Sequence, residues 1–139
     1  MSSVQKSLRI PQETVKDLEG IAKASGTDFT TVANELLEEA VKTRQCPGVV
    51  FTEGTTGKRA RIAGAAIEVW EIIAGYKSVG RNMKRLAKAY HWLTERQLKS
   101  AVAYYGLYPE EIASCIAQNE GWTPQNLAKR HPLLGAGRF

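Results

Sequence analysis

Hydrophobic positions between residues 81 and 106 recur every three or four residues, in two short runs separated by a break. The first run is Met83, Leu86, Ala87 and Tyr90, and the second is Leu98, Ala101, Val102 and Tyr105. This spacing is typical of amphipathic helices. Thr94 and Gln97 match a capping box at the start of the second helix, and Gly106 is expected to end it in the left-handed conformation. Stripes this short must pack on each other or on a third element.

Two short helices joined by a tight corner predict a helix-turn-helix, whose second helix can enter the DNA major groove. The expected outward residues of the second helix are Arg96, Lys99, Ser100 and Ala103, and the first helix would offer Arg81, Lys84, Arg85 and Lys88 to phosphates. Trp92 and Leu93 are expected to fill the gap between the helices, and base stacking is the alternative role. The alternative is an ordinary helical pair with a solvated basic face, because base-reading pairs are a minority.

Side chains alternate between two faces from Val4 to Ile10 and predict a short strand over these residues. Leu8 and Ile10 lie on one face of this strand, and Gln5, Ser7 and Arg9 lie on the other. Two amphipathic helices follow, from Gln12 to Ser25 and from about Asp28 to Thr43, with Gly26 ending the first. A lone strand leaves its backbone groups unsatisfied, so we expect it to pair with a second copy of the chain.

This N-terminal pattern resembles the ribbon-helix-helix family of DNA-binding proteins. The resemblance is carried by the run Leu8-Arg9-Ile10-Pro11 followed by Gly26-Thr27-Asp28. It implies that paired strands enter the major groove, that Gln5, Ser7 and Arg9 read bases, and that amides near Thr27 to Thr30 hold a phosphate. Lys6 on the inward face and the acidic Asp28 depart from the family pattern. The alternative is a dimerisation arm that does not contact DNA.

Cys46-Pro47-Gly48 interrupts the pattern and predicts a boundary between an arm, residues 1–45, and a second domain, residues 46–118, with a tail over residues 119–139. In the second domain we expect a small β-hairpin from Val49–Thr52 and Arg59–Ile62, a core helix from Ala66 to Lys77, the helix-turn-helix, and a last helix opening at Pro109. The loop around Lys58 lacks the Gly-Lys-Ser/Thr sequence of a nucleotide-binding loop. The predicted fold class is mainly α: a ribbon-helix-helix followed by a hairpin and helix-turn-helix bundle.

Charge is divided unevenly along the chain. Residues 1–45 hold six basic and seven acidic side chains, whereas residues 46–139 hold 13 basic and seven acidic ones, and the whole chain has a formal charge of +5 and a pI near 9.3. The excess in the second part favours an acidic partner such as nucleic acid. His91 and His131 have no carboxylate or nucleophile in a recognisable relation. We therefore expect no enzyme activity, no metal and no cofactor.

The cysteine pattern and the hydropathy predict where the protein resides. No apolar run approaches the roughly 18 residues of a membrane span, and the N-terminus lacks the apolar region of a signal peptide. Cys46 and Cys115 show no metal-ligand spacing and suit a reducing cytosol, Cys46 as a loop residue and Cys115 as a buried small one. The expected location is cytoplasmic and nucleoid-associated, without membrane contact.

Residues 49 to 117 resemble the family of domain of unknown function 433. The matching stretches are Pro47-Gly48-Val49, Arg61-Ile62-Ala63-Gly64, Ile67-Glu68-Val69-Trp70, Trp92-Leu93-Thr94, Ala101-Val102-Ala103-Tyr104-Tyr105 and Pro109-Glu110-Glu111-Ile112. The chain departs from the family at Gly64-Ala65-Ala66-Ile67, where a Gly-Thr-Arg-Ile run is frequent. The resemblance implies a helical DNA-binding module and a role as a VapB-type antitoxin beside a PIN-domain ribonuclease.

The expected function is therefore a dimeric antitoxin that represses its own operon and neutralises a PIN-domain toxin. Its partners would be operator DNA, the toxin and a second copy of the chain bound through the N-terminal strand, with larger assemblies left open. The tail either folds back on its own domain or orders on the toxin, and the candidate toxin contacts are Trp122, Leu127, Arg130, Leu133 and Arg138. The alternatives are a stand-alone transcriptional regulator and a structural adaptor with an incidental basic face.

Overall fold

The computed structural model describes residues 3–54 and 57–119, and this part of the chain is mainly helical, as expected. It comprises α1 (Gln12–Ser25), α2 (Phe29–Gln45), β1 (Val49–Gly54), β2 (Gly57–Ile62), α3 (Val69–Ser78), α4 (Met83–Ala89), α5 (Glu95–Leu107) and α6 (Pro109–Gln118). The chain divides into two compact units, residues 1–45 and residues 46–139. Within the described ranges, no helix combines the length and the apolar character needed to cross a bilayer.

The first unit is a pair of helices joined by a tight turn. Gly26 ends α1 with φ 69°, in the left-handed conformation predicted for it. Asp28 caps α2, because its Oδ1 accepts the Thr31 backbone N–H at 2.8 Å. Only Ala22 and Val32 are fully buried among the described residues of this unit. The helix pair by itself therefore has a very small core.

The expected N-terminal strand does not form in one copy of the chain. Residues 3–11 have no regular secondary structure, and Leu8 and Val4 are 68% and 76% exposed. The physical reason is that a strand needs hydrogen-bonding partners, and the described part of the first unit offers no second strand. The strand prediction is therefore wrong for the isolated chain.

The second unit begins with an antiparallel hairpin in which Val49 pairs with Ile62 and Phe51 with Ala60. Val49, Ala60 and Ile62 are buried on its inner face. After β2, the Ile62 N–H donates to the Ile67 carbonyl at 3.0 Å, and Arg61 forms an isolated bridge with Glu68. This turn delays α3, which begins at Val69 and not at Ala66 as expected.

The core of the second unit collects apolar side chains from the hairpin and all four helices. Its largest completely buried side chains are Val49, Ile62, Val69, Ile72, Ile73, Leu86, Leu98, Tyr104 and Ile112. Tyr104, and not the expected Tyr105, is the aromatic core residue of α5; its hydroxyl donates to Glu111 Oε2 of α6 at 2.5 Å. Burial and this acceptor raise the pKa of Tyr104 above its ordinary value.

Two local predictions are wrong. Gly106 lies inside α5, which continues to Leu107 and ends when Tyr108 leaves the helical conformation just before Pro109. The two cysteines exchange their expected environments: Cys46 is buried and its thiol donates to the Ser100 carbonyl at 3.4 Å, whereas Cys115 is only partly buried. The sequence around Cys46 resembles a loop, but the residue lies beneath α5.

Candidate nucleic-acid interface

The corner between α4 and α5 is built from side-chain caps on both helices. Asn82 Oδ1 accepts the Arg85 N–H at 3.1 Å at the start of α4. At the start of α5, Thr94 Oγ1 accepts the Gln97 N–H at 3.0 Å, and Gln97 Oε1 accepts the Thr94 N–H at 2.8 Å. The capping box is thus confirmed. Both helices begin at defined residues, which fixes the side chains they present.

Tyr90 fastens this corner to α3. Its hydroxyl donates to the Glu71 carbonyl at 3.2 Å, and its ring lies so close to Gly75 that a Cβ there would be 2.8 Å from both Cε2 and the hydroxyl oxygen. Leu86 and Leu93 are buried beside it. The helix pair is therefore anchored on a third helix, as two short apolar stripes require.

Basic side chains cover the outer surface of the pair. Lys84, Arg85 and Lys88 of α4 are exposed, as are Arg96 and Lys99 of α5. Lys99 Nζ lies 3.0 Å from Glu95 Oε1, in an exposed i, i+4 ion pair that partly neutralises its charge. Arg96 is therefore the better placed of the two α5 cations for contact with a polyanion.

Ser100 does not belong to this outer surface. It is half-buried, and a Cβ added to Gly48 would lie 2.3 Å from its Oγ. The side chain thus packs against the start of β1, and the expectation that it faces outward is wrong. The outward residues of α5 are Arg96, Lys99 and Ala103.

The two corner residues also differ from expectation in part. Leu93 is buried and fills the gap between the helices, but Trp92 is 46% exposed. The Trp92 ring makes edge contacts with Tyr90 and His91, with centroids 5.3 and 5.5 Å apart. The indole is therefore held at the surface by two neighbouring rings and does not fill the gap between the helices.

The N-terminal candidates Gln5, Ser7 and Arg9 are all exposed in one copy of the chain. Residues 3–11 form no regular secondary structure that would align these side chains. Their placement on one face rests on the alternating pattern of the sequence alone. Their role as base readers stays a prediction that depends on pairing with a second copy.

The start of α2 has fewer amides to offer than expected. The Thr27 N–H donates to the Ala22 carbonyl at 2.9 Å, as part of the end of α1. Asp28 accepts from Thr31, and this backbone hydrogen bond lowers the pKa of its carboxyl group. An ionised carboxylate at this position opposes phosphate binding. The Thr27 amide is thus already engaged within the first unit, and phosphate binding at the start of α2 stays a prediction that rests on the amides of residues 28–30.

Two arginines of the hairpin support the fold. Arg59 Nη2 donates to Gln118 Oε1 of α6 at 2.9 Å, and Arg59 Nη1 lies 3.8 Å from Glu68 Oε1. The Arg61 guanidinium donates to the Ala65 carbonyl at 3.2 and 3.3 Å. Both side chains are thus engaged within the second unit.

Sequence reasoning offered Arg81 to phosphates but missed its association with Lys77 and Tyr105. Lys77 Nζ lies 5.2 Å from the centroid of the Tyr105 ring. Hydrogen bonding and charge from Lys77, followed by those from Arg81, lower the pKa of the Tyr105 hydroxyl. The available signal was the complete absence of acidic residues between Glu71 and Glu95.

The remaining site predictions concern toxin binding and metal binding. The suggested toxin contacts Trp122, Leu127, Arg130, Leu133 and Arg138 fall outside the described residues. Within residues 3–54 and 57–119, no group of three or more His, Cys, Asp or Glu side chains is arranged to hold a metal ion.

Comparison with known proteins locates a family in the second unit. Residues 49–105 match the family described as "Protein of unknown function (DUF433)". This match supports the predicted resemblance over the hairpin and helices α3 to α5. It spans less than half of the chain and does not include the first unit. No curated protein and no solved structure matches the chain.

Proposed function

We propose that the chain is a dimeric DNA-binding autorepressor that acts as the antitoxin of a PIN-domain ribonuclease. The observation that carries the DNA-binding part is the capped α4–α5 corner, whose outer surface presents Lys84, Arg85, Lys88 and Arg96. Such cations neutralise phosphates and position a helix in a groove. The second helix of the pair has Arg96 in its first turn, where recognition helices contact bases.

The first unit supplies the dimer in this proposal. Ile21, Leu37 and Val41 of its two helices are 45%, 57% and 53% exposed, and Leu8 precedes them at 68%. Pairing of two N-terminal segments into an antiparallel ribbon would satisfy their backbone groups and cover these side chains. Arg9 would then lie on the outer face of the ribbon and read guanine.

The toxin part of the proposal rests on the resemblance to VapB-type antitoxins. It predicts that a reading frame adjacent to this gene encodes a small ribonuclease with an acidic active site. Co-expression of the two proteins should yield a complex in which the ribonuclease is inactive. If the ribonuclease forms no complex with this chain and is equally active with and without it, the stand-alone regulator becomes the favoured function.

The DNA-binding part is tested with the double variant Lys84→Gln/Arg85→Gln in the full chain. We expect its affinity for duplex DNA to fall about equally on operator and scrambled sequences, and the salt dependence to become shallower by about two per protomer. The matched control is Lys16→Gln/Lys23→Gln, which removes two exposed cations from α1. Equal losses in both double variants would show that only net charge matters and would favour the adaptor reading.

A further inference from the structure

The chain reverses after α3 through two consecutive residues in the left-handed region. Gly80 has φ 66° and Arg81 has φ 59°. The Gly80 N–H donates to the Lys77 carbonyl at 3.1 Å, and the Arg81 N–H donates to the Tyr76 carbonyl at 2.8 Å. Glycine adopts this conformation without strain, whereas an arginine does so at a cost. Among the described residues, Arg81 is the only one other than glycine with a positive φ.

A strained residue is informative when its side chain does something that glycine cannot. The Arg81 side chain contributes charge and hydrogen bonding that lower the pKa of the Tyr105 hydroxyl, and Lys77 lies over the same ring with its Nζ 5.2 Å from the centroid. The left-handed residue Arg81 is therefore part of a group that also includes Lys77 of α3 and Tyr105 of α5. Strain retained at such a point supports a functional role.

The segment of sequence that contains Lys77 and Arg81 has no acidic residue to offset their charge. Between Glu71 and Glu95 the chain carries five basic residues, Lys77, Arg81, Lys84, Arg85 and Lys88, and no aspartate or glutamate. Lysine, arginine and tyrosine are side chains that proteins use to contact the nucleic-acid backbone. Arg81 directly precedes the cap of α4, so it continues the basic surface of that helix.

We infer that Lys77, Arg81 and Tyr105 together form a binding site for one phosphate of a DNA backbone, at the α3 side of the α4–α5 corner. This inference rests on the proposed DNA-binding function and adds Lys77 and Tyr105 to Arg81, which the helix-turn-helix prediction already assigned to phosphate contact. The site holds its phosphate by charge and hydrogen bonds and reads no sequence. The site therefore contributes equally to the affinity for operator DNA and for scrambled DNA.

The test measures both stability and DNA binding of Arg81→Gly in the full chain. Removal of the strain predicts a melting temperature equal to or above that of the wild type. Removal of the charge predicts about a five- to tenfold weaker affinity for a 25-base-pair duplex, and a salt dependence shallower by about one per protomer. A more stable protein that binds DNA less well would separate the functional role of Arg81 from a purely structural one.

Three further variants complete the experiment. Arg81→Gln retains the strained backbone without the charge and should lose as much affinity as Arg81→Gly, whereas Arg81→Lys should retain most of it. Tyr105→Phe should weaken binding about two- to threefold through loss of one hydroxyl. Lys16→Gln, on α1, is the single-charge control and should change affinity less than Arg81→Gln.

The possible failures are distinguishable. If the wild type binds no DNA, the proposed function fails and the phosphate site fails with it. If the wild type binds DNA and Arg81→Gly binds with unchanged affinity and salt dependence, the phosphate site alone is overturned, and an acidic protein surface becomes the better occupant. A loss confined to operator DNA would also overturn it, because a phosphate contact is independent of sequence.

Discussion

Single residues in the second unit show how close packing limits what the sequence can reveal. Ser100 was predicted to face DNA from its helical spacing, yet its hydroxyl lies against Gly48, 52 residues earlier in the chain. Tyr104 and Tyr105 are adjacent, and the apolar pattern did not distinguish which of them is buried. Such contacts depend on tertiary packing, which periodicity along one helix cannot specify.

The Gly48–Ser100 contact gives a direct stability prediction. Gly48→Ala places a methyl group 2.3 Å from Ser100 Oγ and 2.9 Å from Ser100 Cβ, so β1 or α5 must shift. We expect the free energy of unfolding to fall by about 1–3 kcal/mol. Adding Ser100→Gly should recover part of this loss, as measured by a double-mutant cycle in urea. Independent, additive effects would refute the contact.

Glu71 gives the stability of the second unit a pH dependence. Burial, reinforced by the nearby Glu68 carboxylate, raises the pKa of Glu71 to about 7 from 4.5. The folded chain therefore binds a proton more strongly than the unfolded chain, and stability falls as the pH rises from about 4.5 to 7. The contribution lost is roughly 2–4 kcal/mol.

The variant Glu71→Gln isolates this effect. It should melt at a higher temperature than the wild type at pH 8 and at nearly the same temperature at pH 4, where the wild-type carboxyl group is protonated in both states. Thermal unfolding by circular dichroism across this pH range is the measurement. Parallel curves for the two proteins would show that Glu71 titrates at its ordinary pKa.

At the scale of elements, most helices and both strands were predictable because local signals mark their ends. Gly26, the Thr94–Gln97 box and Pro109 all act where the sequence places them. The failures have a tertiary origin: α3 starts late because the residues after β2 form a turn and an extra bridge, and α5 passes through Gly106. The N-terminal strand is absent because the described part of the first unit offers no second strand to accept its hydrogen bonds.

The cap of α2 permits a separation of structural and electrostatic roles. Asp28→Asn keeps a capping side chain of similar strength but removes a negative charge. If the start of α2 faces phosphate, DNA affinity should rise roughly two- to fivefold with little change in melting temperature. Asp17→Asn, an exposed position on α1, is the control. A rise of equal size in both variants would remove the start of α2 from the interface.

At the scale of the whole molecule, the two units differ in the size of the hydrophobic core that each buries. The second unit buries a continuous core from six elements. The first buries only Ala22 and Val32 among its described residues and leaves Ile21, Leu37 and Val41 largely exposed. A unit with so little core usually gains stability from association. The sequence likewise predicts that the first unit needs a partner, and both this need and the geometry of the pairing stay proposals.

Oligomeric state follows as a prediction. The wild type should sediment as a dimer at micromolar concentration, and Leu37→Asp should shift it towards monomer because a charge would enter the apolar interface. The control is Leu107→Asp at the end of α5, where the wild-type leucine is 49% exposed. A monomeric wild type at tens of micromolar would contradict association through the first unit.

The central claim, sequence-specific DNA binding, is tested most directly by fluorescence anisotropy with DNA from immediately upstream of the gene and with scrambled DNA, at several salt concentrations. The account predicts tighter binding to the upstream DNA. Arg9→Ala should cost about 1–3 kcal/mol on that DNA and much less on scrambled DNA. Retained specificity in Arg9→Ala together with its loss in Arg96→Ala would move base reading to α5. Equal affinity of the wild type for both DNAs at every salt concentration would contradict the account.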